Sequence, residues 1–79
     1  MRLDKYLKVS RIIKRRTIAN EACSQGKVYI NDKPAKPSAE VQEGDIIELR
    51  FGEKGKRYRV TKVLEHVPKG DETTMYDEI

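Results

Sequence analysis

The side chains best placed to do chemistry sit in the run Ser10-Arg11-Ile12-Ile13-Lys14-Arg15-Arg16-Thr17. Arg11, Lys14, Arg15 and Arg16 crowd the start of a segment with helical spacing. A helix N-terminus already carries roughly half a positive charge, so each added cation costs about 0.3–1 kcal/mol. A small domain gains nothing from that cost unless an anion completes the arrangement. Free amide N–H groups at the same helix end add to phosphate capture. Arginine supplies a planar fork for phosphate oxygens, or a plane that stacks on an exposed base. The chemistry indicated is phosphate binding, with a merely solvated basic face as its plain alternative.

Covalent chemistry finds little support. His66 is the only histidine, and Cys23 is the only cysteine, with no histidine near it in sequence to activate it. Cys23 reads as a small buried hydrophobe. A single cysteine excludes an internal disulfide framework and a cysteine-based zinc site. The carboxylates form no paired arrangement, and the five glycines stand singly at expected turns rather than in a phosphate-cradling loop. The expectation is a protein with no catalytic residues, no metal site and no cofactor.

Charge distribution sharpens the reading. The 79 residues carry 17 Lys+Arg against 13 Asp+Glu, a net +4 that is by itself a mild signal. Residues 1–36 hold ten bases and three acids, a net +7, whereas residues 37–79 hold seven bases and ten acids, a net −3. Asymmetry of this kind points to an anionic partner at one end. No apolar run is long enough to span a membrane. Charges at Arg2, Asp4, Lys5 and Lys8 break any signal-peptide hydrophobic region, so a cytoplasmic protein is expected.

The elements that must position these cations follow from periodicity. Leu3 and Leu7 at i, i+4 spacing predict a short helix over Leu3–Val9, ended by Ser10. Residues 11–14 form a connector whose Ile12 and Ile13 insert toward the core. A second helix is expected from about Arg15 to Gln25, with Ile18, Ala19, Ala22 and Cys23 inward and Gly26 as its stop. Val28–Ile30 reads as a strand, Asn31-Asp32 as a hairpin turn, and Lys33–Ala35 as an edge strand limited by Pro34 and Pro37. Glu43-Gly44-Asp45 turns the chain into a strand over Ile46–Phe51. A further turn over 52–55 leads to a strand over Arg57–Val67. From Pro68 the chain reads as loop-like and acidic, with Met75, Tyr76 and Ile79 able to dock it. The expected organisation is a body over residues 1–67 and an acidic tail over residues 68–79. The fold class is α+β.

Such a surface suits structured RNA read by shape and phosphate. A helix-turn-helix reader of DNA needs base-reading side chains along its second helix, and few are present. Stacking platforms are weakly supported, because Tyr6, Tyr29 and Tyr58 all fall where a core needs them. Lys27, Lys33 and Lys36 are candidates for the rim of the basic surface, with Arg2 and Lys8 contributed by the first helix.

Several of these residues also resemble a known family. Arg2-Leu3-Asp4, Ser10-Arg11, Lys14-Arg15-Arg16, Ala19, Ala22, Gly26-Lys27-Val28, Ile30-Asn31, Pro37, Val41 and Gly44-Asp45 are similar to the RNA-binding domain named after ribosomal small-subunit protein four. The match covers about residues 2–51, and its combined spacing is specific. The resemblance implies the alpha-L RNA-binding motif, in which two N-terminal helices pack on a small curved antiparallel sheet. It is strongest toward short standalone members that act in ribosome-associated quality control. It implies RNA contact at Arg2, Arg11, Lys14, Arg15 and Arg16, and also at Lys8, Lys27 and Lys36, while Asp4 orients neighbouring cations or caps the first helix. The implied partners are the large ribosomal subunit, its rRNA, peptidyl-tRNA and a factor that adds C-terminal alanines to the stalled chain. The free protein is expected to be a monomer. A general assembly or regulatory factor for another structured RNA, and a protein-interaction adaptor on the ribosome, remain the alternative readings.

Overall fold

The computed structural model describes residues 1–52, 54–65, 70 and 75–79. Two helices, α1 (Leu3–Val9) and α2 (Arg16–Ser24), precede β1 (Val28–Ile30), β2 (Lys33–Pro34), β3 (Ile46–Phe51), β4 (Lys54–Val60) and β5 (Tyr76–Glu78). The strands form one sheet in the order β2-β1-β3-β4-β5, and every pairing is antiparallel. The architecture is the expected α+β arrangement of two helices on a small sheet.

Alternation along the strands decides what faces the helices. Val28 on β1, Ile47 and Leu49 on β3, and Tyr58 and Val60 on β4 are buried against Leu3, Tyr6 and Leu7 of α1. From α2 only Ala19, Ala22 and Cys23 enter the core. Their small size lets α1 approach closely, so its larger side chains fill the space. Ile12 and Ile13 pack partly against this core from the connector. Ile18, expected inward, is 48% exposed. It lies at the margin of the stripe formed by the three small residues, where a branched side chain remains in solvent.

The turns hold the register. Asn31 and Asp32 have φ of 50° and 69°, the left-handed pair that a two-residue hairpin turn requires. The Asn31 side chain donates to the Asp45 carboxylate at 3.2 Å and accepts from the Ile46 N–H at 3.0 Å, tying this turn to the start of β3. Gly26, with φ 73°, ends α2 as expected.

Two expectations about the second half change. β4 begins at Lys54, earlier than Arg57, and ends at Val60. The glycine expected in the turn, Gly55, instead lies in the strand opposite Arg50, where a Cβ would meet the Glu48 carboxylate at 3.1 Å. The segment read as a loop-like tail contains β5, which pairs with β4 through Tyr58↔Glu78, Arg59↔Asp77 and Val60↔Tyr76. Met75 is fully buried, and the Tyr6 hydroxyl donates to its carbonyl at 2.7 Å. Tyr58 and Tyr76 meet edge to face at 5.2 Å between centroids. His66, the boundary drawn between residues 67 and 68, and the acids Asp71 and Glu72 lie outside the described residues. No helix among the described residues is long and apolar enough to cross a membrane.

Candidate nucleic-acid interface

The basic site is organised by a carboxylate. Asp4, in the first turn of α1, is 2% exposed. It accepts from the Arg2 Nε and Nη2 at 3.2 and 3.1 Å, from the Asn20 Nδ2 at 3.3 Å and from the Lys5 N–H at 2.7 Å. The Arg16 Nη2 lies 3.5 Å from the same carboxylate. Arg2 stands at the start of α1 and Arg16 at the start of α2, so Asp4 joins the two helix starts. Burial opposes ionisation of Asp4, but the hydrogen bonds from Asn20, Arg2 and the Lys5 N–H, together with the charge of Arg16, hold its carboxyl below the ordinary range. One negative charge therefore serves two guanidinium groups, whose side chains are 51% and 49% exposed. A net positive charge faces solvent with its geometry already set.

The backbone around Arg2 is held just as firmly. Leu3 N–H donates to the Ala39 carbonyl at 2.8 Å, Asp4 N–H to the Pro37 carbonyl at 3.1 Å, and Val41 N–H to the Met1 carbonyl at 2.9 Å. The N-terminal ammonium pairs with Glu40 at 2.6 Å. The loop over 37–41 thus anchors the chain start and brings Lys36 beside Arg2. Arg2, Asn20, Cys23, Ser24, Lys36, Pro37 and Ser38 line an open cleft of about 470 Å³.

At the start of α2, Arg15 occupies the N-cap position, and among the described residues no side-chain hydrogen bond caps the helix. The first turn contains no acid. Uncapped N–H groups and the helix dipole both favour an anion here.

The structure joins Arg2 and Arg16 on Asp4 and sets Lys36 on the cleft that Arg2 lines, while Arg15 precedes Arg16 at the start of α2. Lys14 and Arg11 are exposed on the connector, where Arg11 takes a left-handed φ of 61° to reverse the chain after α1. Lys8 is exposed in the last turn of α1. Lys27 lies at the opposite end of α2 from Arg16, a helix of nine residues that spans about 13 Å. Lys5 pairs with Glu65 at 3.7 Å. The sequence reading passed over Asn20, although its place four residues after Arg16, one helical turn on, is the signal that would have found it. It also passed over the anchoring loop, which joins residues far apart in the chain and leaves no local mark.

Cys23 is buried, and burial first, then the Asp4 carboxylate, pushes its thiol up to about 11. It is protonated at neutral pH and makes a poor nucleophile. Among the described residues, no cluster of His, Cys, Asp or Glu is arranged to hold a metal ion. Tyr29, expected in the core, is instead half-buried beneath the Arg50 guanidinium, 3.8 Å from its ring centroid. Its position on β1 alternates away from the helices.

Residues 1–47 match the family model described as S4 domain. The RQC P-site tRNA stabilizing factor of Halalkalibacterium halodurans is 49% identical over 77 residues, spanning 98% of this chain and 88% of that protein. The factor of the same name from Bacillus subtilis is 46% identical over 76 residues, spanning 96% of this chain and 88% of that one. A solved trimeric structure of Vibrio cholerae Heat Shock Protein 15 matches with a TM-score of 0.89 at 34% identity, covering 100% of this chain and 81% of that chain.

Proposed function

The chain belongs to the S4 domain family, and from that premise we propose that it is a non-enzymatic RNA-binding factor of ribosome-associated quality control. The observation that carries the proposal is the pair of guanidinium groups, Arg2 and Arg16, held half-exposed on one buried carboxylate. Rigid forks suit phosphates at fixed spacing, because little side-chain freedom is lost when RNA binds. The uncapped start of α2 adds amide donors on the same surface. Relatives named for stabilizing P-site tRNA indicate which RNA is held.

In this proposal the protein binds a large ribosomal subunit that still carries peptidyl-tRNA. It contacts both rRNA and tRNA, acting as a single cytoplasmic copy. Arg2, Arg11, Lys14, Arg15 and Arg16 carry the RNA contacts, joined by Lys8, Lys27 and Lys36. Holding the tRNA in place then supports a second factor in adding C-terminal alanines.

The test is co-sedimentation with large subunits purified from cells with obstructed translation. Arg16→Ala is expected to lose at least tenfold in association while its circular dichroism stays native. Unchanged association of the folded variant rejects the proposal. With about five phosphates contacted, the log-log salt slope on RNA should be roughly −3.5 to −4.5. A slope near zero would mean that the basic face only solvates the protein.

A further inference from the structure

The helices do not cover the whole inner face of the sheet. At the far end of the β3–β4 hairpin, Phe51 shares that face with buried Leu49 yet is 47% exposed. Leu49, Phe51, Lys56, Tyr58 and, from the connector, Ile12 line a groove of about 420 Å³. A single exposed phenylalanine needs no explanation. Here, however, an apolar wall with an aromatic face is bordered by cations. Lys56 lines the groove itself, and the Lys27 ammonium lies 5.8 Å from the Phe51 ring centroid. Ile12 lies between Arg11 and Lys14, so the groove opens beside the connector whose cations the RNA-binding reading already uses.

We propose that this groove takes an unstacked nucleobase of the bound RNA, with Phe51 as its stacking face and Lys56 and Lys27 meeting its flanking phosphates. The inference rests on the RNA-binding reading above and adds to it a preference for RNA with unpaired bases. Charge complementarity selects the occupant. A nucleotide presents an apolar ring and an anion together, matching an apolar wall between ammonium groups. A second copy of this chain, at a net +4, would bring like charge to a cationic rim. The three tyrosines weighed as stacking groups do not supply this face: Tyr6 and Tyr58 are buried and Tyr29 lies under Arg50.

Two RNAs test it with the full chain: a stem-loop bearing 2-aminopurine in its loop, and a blunt duplex of the same stem. The protein is expected to prefer the stem-loop by about fivefold to a hundredfold, the range of one base–aromatic stack, and to quench the 2-aminopurine. Phe51→Ala should bring the ratio of the two affinities close to one and abolish the quenching, whereas Phe51→Tyr and Phe51→Trp should keep both. Lys56→Gln, which leaves the aromatic wall in place, should flatten the stem-loop salt slope by about 0.7 to 0.9. The proposal falls if natively folded Phe51→Ala retains the full preference. It also falls if the unsubstituted protein binds both RNAs equally, or if Phe51→Ala changes only self-association in sedimentation. Failure to bind either RNA would instead overturn the RNA-binding reading itself, which an equal loss on both RNAs in Arg16→Ala would support.

Discussion

Basic residues occur on both faces of the sheet, but they are neutralised differently. On the outer face, Arg50 hydrogen-bonds Glu48 at 3.0 Å, Arg57 lies 3.9 Å from Asp32, and Arg59 stands opposite Asp77 across the β4–β5 ladder. Arg50 and Arg57 each have a carboxylate of their own, with guanidinium groups about half in solvent, where such pairs contribute little to stability. On the helix side, Arg2 and Arg16 divide a single buried carboxylate, while Lys14 and Arg15 are exposed beside the uncapped start of α2. The number of cations alone does not separate the two faces. What separates them is sharing: on the helix side two guanidinium groups rest on one buried carboxylate, and among the described residues of the outer face no carboxylate is divided in this way.

Substitutions on the two sides should therefore behave oppositely. The largest effect is expected from Arg2→Ala combined with Arg16→Ala. Losing two charge-assisted contacts of about 1.5–3 kcal/mol each should weaken RNA binding at least a hundredfold in a filter or anisotropy assay. Arg57→Ala combined with Arg59→Ala should cost less than about threefold in the same assay. Comparable losses from the two pairs would erase the distinction between the faces.

Next in size are effects on stability. Met75→Ala empties a fully buried site and should cost about 2–5 kcal/mol in urea unfolding. Tyr6→Phe removes the buried hydroxyl from the Met75 carbonyl, which keeps the Thr61 N–H at 2.9 Å, and should cost about 0.5–1.5 kcal/mol. Because β5 and Met75 complete the sheet and core, deleting residues 68–79 would damage the fold rather than simply remove a tail.

Asp4→Asn links the site to pH. A carboxyl held below its ordinary value of 3.8 in the folded protein contributes stability above that pH, and the contribution is lost as pH falls through the lowered value. The stability gap between the unsubstituted protein and Asp4→Asn should be constant near neutrality and close on acidification below about pH 4. A gap independent of pH would mean that Asp4 acts through packing alone. The smallest effect concerns Cys23. With its thiol raised to about 11, native protein at pH 7.5 should resist alkylation that proceeds readily in denaturant.

Much of this molecule was legible in the chain. The span of α1, the inward small residues of α2, the Asn31-Asp32 turn and the whole of β3 follow from local rules of spacing and turn chemistry, which need only neighbouring residues. The cluster of cations at the start of α2 was equally plain, because an unfavourable charge at a helix end is a sequence-local fact. β5 was not visible: three residues, two of them acidic, are too few to show an alternation and gain strand geometry only from pairing with β4. Ile18 and Tyr29 were misplaced for a related reason, since spacing identifies a stripe while its margin depends on what packs against it.

The sequence by itself determined that this is a small α+β chain with an anion-seeking end, because composition, periodicity and charge order are properties of the chain alone. Tertiary structure decided which cations act together. Arg2 and Arg16 are fourteen positions apart, and they converge only because the loop over 37–41 pins the chain start while close helix packing brings Asn20 and Arg16 to Asp4. Burying that carboxylate makes its partnership strong and its geometry fixed, and burial belongs to the packed core rather than to any stretch of sequence.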